Sequence, residues 1–329
     1  MLVSILAVAL LVRTVGSLRL HMAITSGTII GNGRIGNMLF EKNDRKDVLI
    51  GRSDNYAEKL PDQGPIYVST RNKDLEDIIE STPGHRRQDL VFLQNGILTD
   101  YLSKKGLQDN TQALLYVAVA KKGEEPTDGP EGYTSVTGKW GMDFKERMNK
   151  ANLFCQVLDK EAWFIKMLEK HIWICAFMAV GAKHGVNVGT VEASHQAEVQ
   201  ALIEEMVTAA EKATQVKFPQ GVIDRLCIYA RSVAHFPTAL KEFEVLVLCI
   251  LSPLLYFQWR NGWFLDLTFK AIANGELDPC PLHTDILLRS KEVSVLDAFN
   301  AWRAANPEAD SAGRLSMWIV LNSKKYVSA

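Results

Sequence analysis

A chain of 329 residues is long enough to bury two cores of roughly 150 residues each. Its 37 Lys+Arg against 38 Asp+Glu leave a formal charge of -1, and 47% hydrophobic with 23% charged residues excludes a wholly disordered chain. That balance also removes the counterion-release term behind most nucleic-acid affinity, so a small molecule is the expected partner and nucleic acid is not.

Residues 1–12 are apolar and precede Arg13, Gly16, Ser17, Leu18 and Arg19, a stretch too short for a membrane-crossing helix of about 20 residues. Two readings stay open. It is the apolar region of a signal or plastid-directing peptide, although the positive leader of such peptides is missing, or translation starts at Met22, just before the first strand. Cytoplasm and plastid are accordingly the two expected locations.

Residues 25–30 (TSGTII) are β-branched and predict a strand, after which GNGRIGNMLF passes into a helical pattern with Met38, Leu39 and Phe40 apolar. Residues 47–52 (DVLIGR) and 65–70 (PIYVST) predict further strands, and 75–79 a helix. Residues 89–93 (DLVFL) form a buried-strand pattern ending in Gln94, Asn95 and Gly96, and 113–120 (ALLYVAVA) predict one more strand. Strands alternating with helices predict an α/β fold, a parallel sheet with helices on both faces. Residues 123–141, rich in Gly, Pro, Asp and Thr, read as a turn-rich connection or hairpin at the end of that sheet. Long helical patterns then take over at 163–183, 195–216, 220–234 and 261–273, with a last helix at 295–304.

The most informative motif is Gly31-Asn32-Gly33-Arg34-Ile35-Gly36, which directly follows a strand and opens a helix. Gly31 permits a tight turn, Gly33 lets backbone approach a pyrophosphate, and Gly36 lets helix and strand pack closely. The anion then sits at the positive helix start. Read alone, the motif fits a plain glycine-rich turn equally well. At the end of the second strand an NAD site would carry an Asp or Glu for the ribose 2′-hydroxyl, whereas this chain has Arg52 and Ser53. A guanidinium suits a 2′-phosphate, so the expected cofactor is NADP(H), with Asp54 as the opposing feature.

The glycine motif, Arg52, the QNG at Gln94 to Gly96, Trp163 and Lys166 on a helix, and HFPTALKE with a later NG together resemble ketopantoate reductase and its relatives over about residues 24–290. The resemblance implies a Rossmann-type NADPH domain at 23–145 and a helical, 6-phosphogluconate dehydrogenase-like domain at 150–290, after an extra segment at 1–22 and before an extension at 291–329. It implies reduction of a small 2-oxo acid in the cleft between the two. Asn95 then lies near the nicotinamide and substrate, and Gly96 lets the chain turn there. Lys166 becomes the catalytic lysine, which supplies a proton and steadies charge on the carbonyl oxygen.

Lys170 and Ile174 stand where the family carries asparagines, one and two turns beyond that lysine on the same face. Lys170 remains a candidate contact for an anionic substrate, while Ile174 cannot hydrogen-bond. Thr238 and Glu242 fall on a small hydroxyl and an acidic position of the family, and Glu244 is the nearest candidate for its later catalytic glutamate. Residues 245–258 (VLVLCILSPLLYFQ) separate KEFE from WRNGWFLDL. They read as an apolar insertion, translated intron sequence being one origin, with a buried core helix as the competing reading and a membrane hairpin far behind. The segment is short for a span and carries Pro253, so no stable membrane crossing is expected.

Five cysteines (Cys155, Cys175, Cys227, Cys249, Cys280) lack C-x-x-C spacing and read as buried thiols of a reducing compartment. His171, His184, His195, His235 and His283 form no H-x-x-x-H or H-x-x-E-H pattern, so spacing supports no metal site. There is no G-x-S-x-G elbow. Two functions follow from different classes: an NADP(H)-dependent reductase, or a catalytically silent NADP-binding or interaction protein on the same fold. Monomer and homodimer are both open.

Overall fold

A computed structural model describes residues 25–130, 132–240, 260–290 and 294–327. The N-terminal segment, the apolar segment at 245–258 and both candidate glutamates, Glu242 and Glu244, lie outside the described residues.

The first half builds a seven-stranded sheet in the order β2-β1-β3-β4-β5-β8-β9. Strands β1 (Thr28–Ile30), β2 (Val48–Ile50), β3 (Ile66–Val68), β4 (Leu90–Phe92) and β5 (Thr111–Leu114) run parallel. Helix α1 (Arg34–Lys42) connects β1 to β2. The short α2 (Tyr56–Lys59) and then α3 (Leu75–Ser81) flank β3, while α4 (Thr99–Lys104) joins β4 to β5. The strands read as continuous apolar runs because both faces are covered. Ile29, Tyr67 and Val91 share one core with Met38 and Leu39 of α1. Their neighbours Ile30, Val68 and Phe92 point the other way, against Leu75, Ile79 and Leu102.

One sequence expectation is corrected at the end of β5. Residues 113–120 do not continue as one strand. The chain breaks at Leu115 and Tyr116, and β6 (Val117–Ala118) pairs antiparallel with β7 (Thr127–Asp128) in a separate two-stranded ribbon. The cause is tertiary: the Tyr116 N–H donates to the Thr134 hydroxyl at 2.9 Å, and the Tyr116 ring turns into the helical core. The turn-rich stretch that follows carries this ribbon and β8 (Ser135–Thr137), which joins the sheet antiparallel to β5. Helix α5 (Gly141–Lys150) then packs Phe144 and Met148 onto the sheet, and β9 (Gln156–Val157) closes its edge.

The remainder is helical. Helix α6 (Lys160–His184) is 25 residues long, begins at Asp159, whose carboxylate accepts the Ala162 N–H at 2.7 Å, and ends at Gly185 in the left-handed conformation (φ 66°). Buried residues lie all round it, which makes it the central helix. Around it stand α7 (Val188–Ser194), α8 (Gln196–Thr214), α9 (Val222–Ser232), α10 (Asn261–Ala273) and α11 (Pro281–Arg289). Helices α12 (Val295–Ala305) and α13 (Arg314–Val327) complete this core from the C-terminal tail, with the buried Trp302 indole donating to Asp266 at 2.9 Å. No helix among the described residues is long and apolar enough to cross a membrane. The described cysteines, Cys155, Cys175, Cys227 and Cys280, are buried and free.

Ile97, Leu114 and Tyr116, which follow or end sheet strands, are members of the helical core. The helical part therefore packs on the carboxyl ends of the parallel strands, the edge where open α/β sheets bind ligands.

Candidate functional site

The glycine turn adopts the geometry its residues predict. Gly31 has φ +103°, and a Cβ there would press on Ser69 and Thr70 at the end of β3. A Cβ at Gly36 would overlap the Gly31 carbonyl oxygen and the Ser69 hydroxyl, so α1 can approach the turn only without a side chain there. Gly33 differs: a Cβ would meet nothing within 4 Å. The protein itself places no demand on Gly33, and the open space lies at the start of α1, whose first turn holds no acidic residue. That is the arrangement of an anion cradle. Asn32 and Arg34 are exposed and Ile35 is half-buried against the sheet core. The Arg34 guanidinium donates to the Val119 and Ala120 carbonyls at 3.0 and 3.3 Å, bracing the β6–β7 ribbon against α1.

The neighbouring strand ends are tied into one rim. Ser69 Oγ donates to the carbonyls of Ile30 and Gly31, both at 2.9 Å. Gln94 Nε2 donates to Val68 and Thr70 at 2.9 and 3.2 Å, and Asn72 Nδ2 holds the Asn95 carbonyl at 3.1 Å. These bonds leave the Asn95 side-chain amide without a partner among the described residues, and Gly96 turns the chain away with φ +109°. At the tip of β2 the Asp54 carboxylate is engaged by Lys59 Nζ at 2.5 Å and the Gly51 N–H at 2.6 Å, and these bonds hold its pKa below the ordinary carboxylate range. Arg52 is exposed and unpaired among the described residues. Asp54 is thus a turn-former and not the counter-ion of Arg52.

Helix α6 faces this rim with Trp163, Lys166, Lys170 and Trp173, spaced three and four residues apart on one side. Lys166 is half-buried, its Nζ donates to the Gly132 carbonyl at 2.8 Å, and burial lowers its pKa. Lys170 lies deeper, with 5% of its surface exposed. Its Nζ donates to the Leu115 carbonyl and sits 4.6 Å from the centroid of the Tyr116 ring. Burial, with the charge of Arg260 second, brings its pKa down to about 7. The adjacent Glu169 gives no help, because its carboxylate is clasped by Arg225. The indole N–H groups of Trp163 and Trp173 are buried and have no acceptor among the described residues.

Leu115 and Asn95 each lie three residues beyond the paired Phe92 and Gln112, so the carbonyl holding Lys170 stands at about the height of Asn95 on the next strand. The structure therefore gathers the glycine turn, Arg52, Asn95, Gly96, Lys166 and Lys170 along one edge. It does not bring Thr238 there. The Thr238 hydroxyl donates to the Val186 carbonyl at 2.5 Å and its methyl fills the space left by Gly181, beyond the far end of the lysine pair on α6. Ile174 packs against the helical core. Sequence reasoning missed Ser69, the Gln94 side chain and the burial of Lys170; only the last had a local signal, a lysine at helical spacing between Trp163 and Trp173.

No family model matches the sequence, and no curated protein matches it. Solved structures do. The fold is similar to that of a PanE/ApbA family ketopantoate reductase from Ralstonia eutropha JMP134, with TM-score 0.54 and 17% identity over 84% of this chain and 99% of that one. A dimeric ketopantoate reductase from Staphylococcus aureus matches with TM-score 0.54 and 14% identity over 84% of this chain and 100% of that one. D-mandelate dehydrogenase, in a ternary structure with NADH and anilino(oxo)acetate, matches with TM-score 0.53 and 12% identity over 86% of this chain and 100% of that one. The chain has the ketopantoate reductase-like fold, a Rossmann-type N-terminal domain followed by a helical C-terminal part.

Proposed function

We propose that the chain is an NADP(H)-dependent oxidoreductase that reduces a small 2-oxo acid or a related carbonyl at the strand edge facing α6. The observation that carries this reading is Lys170: a buried cation with no carboxylate partner among the described residues, on the same sheet edge as the open glycine turn. Burying an unpaired ammonium costs stability and is kept where chemistry needs it. The residues present fit a nicotinamide dinucleotide: Gly33 leaves room for phosphate, α1 offers its N-terminus, and the unpaired Arg52 suits a 2′-phosphate. When bound, the dinucleotide supplies the hydride.

The chain's own residues supply the rest. Lys170 gives a proton from Nζ to the carbonyl oxygen as that oxygen gains charge, and solvent returns it afterwards. A pKa of about 7 suits that role at neutral pH. Lys166, the lysine expected from the family pattern, stands one turn earlier on the Gly132 carbonyl and adds positive potential. The positive charge of Lys166 and Lys170 suits the carboxylate of a 2-oxo acid, and the Asn95 amide is available to orient the carbonyl. The fold neighbours, ketopantoate reductases and D-mandelate dehydrogenase, support an oxidoreductase acting on such a substrate.

The test is NADPH titration followed by turnover with a panel of aliphatic and aromatic 2-oxo acids. Saturable binding and turnover are expected, with Lys170→Met lowering kcat/KM by about 10²–10⁴-fold and leaving NADPH affinity nearly unchanged. Rate should fall as pH rises through about 7, because the ammonium is the active form. Absence of saturable NADPH binding would sink the proposal. Binding without turnover would favour a silent dinucleotide-binding protein, the reading that the apolar Ile174 supports.

A further inference from the structure

Histidines that show no metal spacing along the chain meet in space at the far end of α6. His184 is the last residue of α6, His195 caps α8, and Glu198 lies in the first turn of α8. One ligand atom from each lies within 4.8 Å of the other two. His184 Nε2 lies 2.7 Å from Glu198 Oε2, while the other carboxylate oxygen takes Lys183 Nζ at 2.6 Å. The imidazole of His195 makes no hydrogen bond among the described residues, yet it lies stacked on His184 with ring centroids 3.9 Å apart. A simple ion-pair cluster of Lys183, His184 and Glu198 does not need it.

We propose that His184, His195 and Glu198 form a site for one zinc-class divalent cation, with two imidazole nitrogens and one carboxylate oxygen as ligands. This donor set is one that zinc accepts, with water in the fourth position. Tetrahedral zinc with bonds of about 2.0–2.2 Å wants ligand atoms about 3.3–3.5 Å apart, which side-chain rotation supplies from the present positions. The backbone is already set. His195 and Glu198 are three residues apart on one helical face. Gly185 ends α6 in the left-handed conformation, and the Asn187 side chain caps α7 by accepting the Thr190 N–H at 2.9 Å. The exposure of His184 leaves the fourth position to solvent. Along α6, His184 lies 14 residues from Lys170, about 21 Å at the helical rise, so the ion would clip α6 to α8 and take no part in the reductase site. Lys183 is the competing cation.

Co²⁺ titrated into tag-free, chelator-treated full-length protein, followed by displacement with Zn²⁺, reads the site directly. One equivalent should bind with tetrahedral visible bands and no thiolate charge-transfer band, and Zn²⁺ should raise Tm. His195→Gln should weaken binding by more than about a hundredfold, the upper cost of losing even an outer-shell partner. Lys183→Met should tighten it by about two- to fivefold, the equivalent of one exposed ion pair. Failure to take up one equivalent, a thiolate band, or unchanged affinity in both His195→Gln and His184→Ala would overturn the proposal. Circular dichroism and metal-free Tm of each variant separate loss of the site from loss of the fold.

Discussion

Arg147 and Lys170, two of the buried cations among the described residues, sit under opposite conditions. Arg147 on α5 is fully buried, and all three guanidinium nitrogens are hydrogen-bonded: to the Asp47 carboxylate at 2.5 and 3.0 Å, Asp143 at 3.0 Å, the Tyr67 hydroxyl at 3.0 Å and the Thr25 carbonyl at 2.6 Å. Burial works against its charge, but Tyr67, Asp47 and Asp143 outweigh it and raise its pKa. Lys170 on α6 is nearly as buried and has one carbonyl and one ring face. The first cluster staples the strand ends and α5 together, because a buried charge that is fully matched is a structural tie. The second is left poised between charged and neutral, and the proposed proton transfer rests on that difference.

The sharpest way to break this contrast is to remove Arg147. Arg147→Met should destabilise the fold by about 3–5 kcal/mol, since Asp47 and Asp143 would be left buried beside an apolar chain; denaturant unfolding measures it. A loss near zero would mean that water reaches the cluster. Lys170→Met should do the reverse. The unfolded lysine holds its proton up to about 10.5, whereas the folded one releases it at about 7. Between those values the unfolded chain binds the extra proton, so the lysine costs stability fully below about pH 7 and progressively less towards 10.5. The variant should therefore be more stable than the parent at neutral pH, with a margin shrinking by about 1.4 kcal/mol per pH unit as pH rises through that window. A variant less stable than its parent at pH 7 would show that Lys170 is a structural tie too. Smallest in effect, Arg52→Ala should weaken NADPH binding by about tenfold and leave NADH binding unchanged, the signature of one phosphate contact. Equal losses for both dinucleotides would move the 2′-phosphate elsewhere.

Much of the sheet was legible because its signals are local. The β1-turn-α1 unit, with Gly31 and Gly36, follows from backbone sterics that no distant residue can alter. Strands β2 to β4 follow from apolar runs of the length a doubly covered sheet requires. The break after β5 was not legible, since Leu115 and Tyr116 are as apolar and β-prone as their neighbours, and only Thr134 and the helical core redirect them. Helices α7 and α11 were missed because their apolar stripes are short, and α13 because it lies in a tail without an obvious partner. Thr238 matched a family position by order along the chain, yet its hydroxyl serves the Val186 carbonyl.

Residue order by itself determined the α/β class, the dinucleotide-type turn, the shift to helices after the sheet and the positive charge at the tip of β2, because each depends on neighbours within a few positions. Tertiary structure decided which lysine is desolvated, that Asp54 is spent on its own turn, and that His184, His195 and Glu198 meet. Those outcomes depend on which partners arrive from elsewhere in the chain, since the energy of a charge or a ligand set is governed by its surroundings in space and not by its neighbours in sequence.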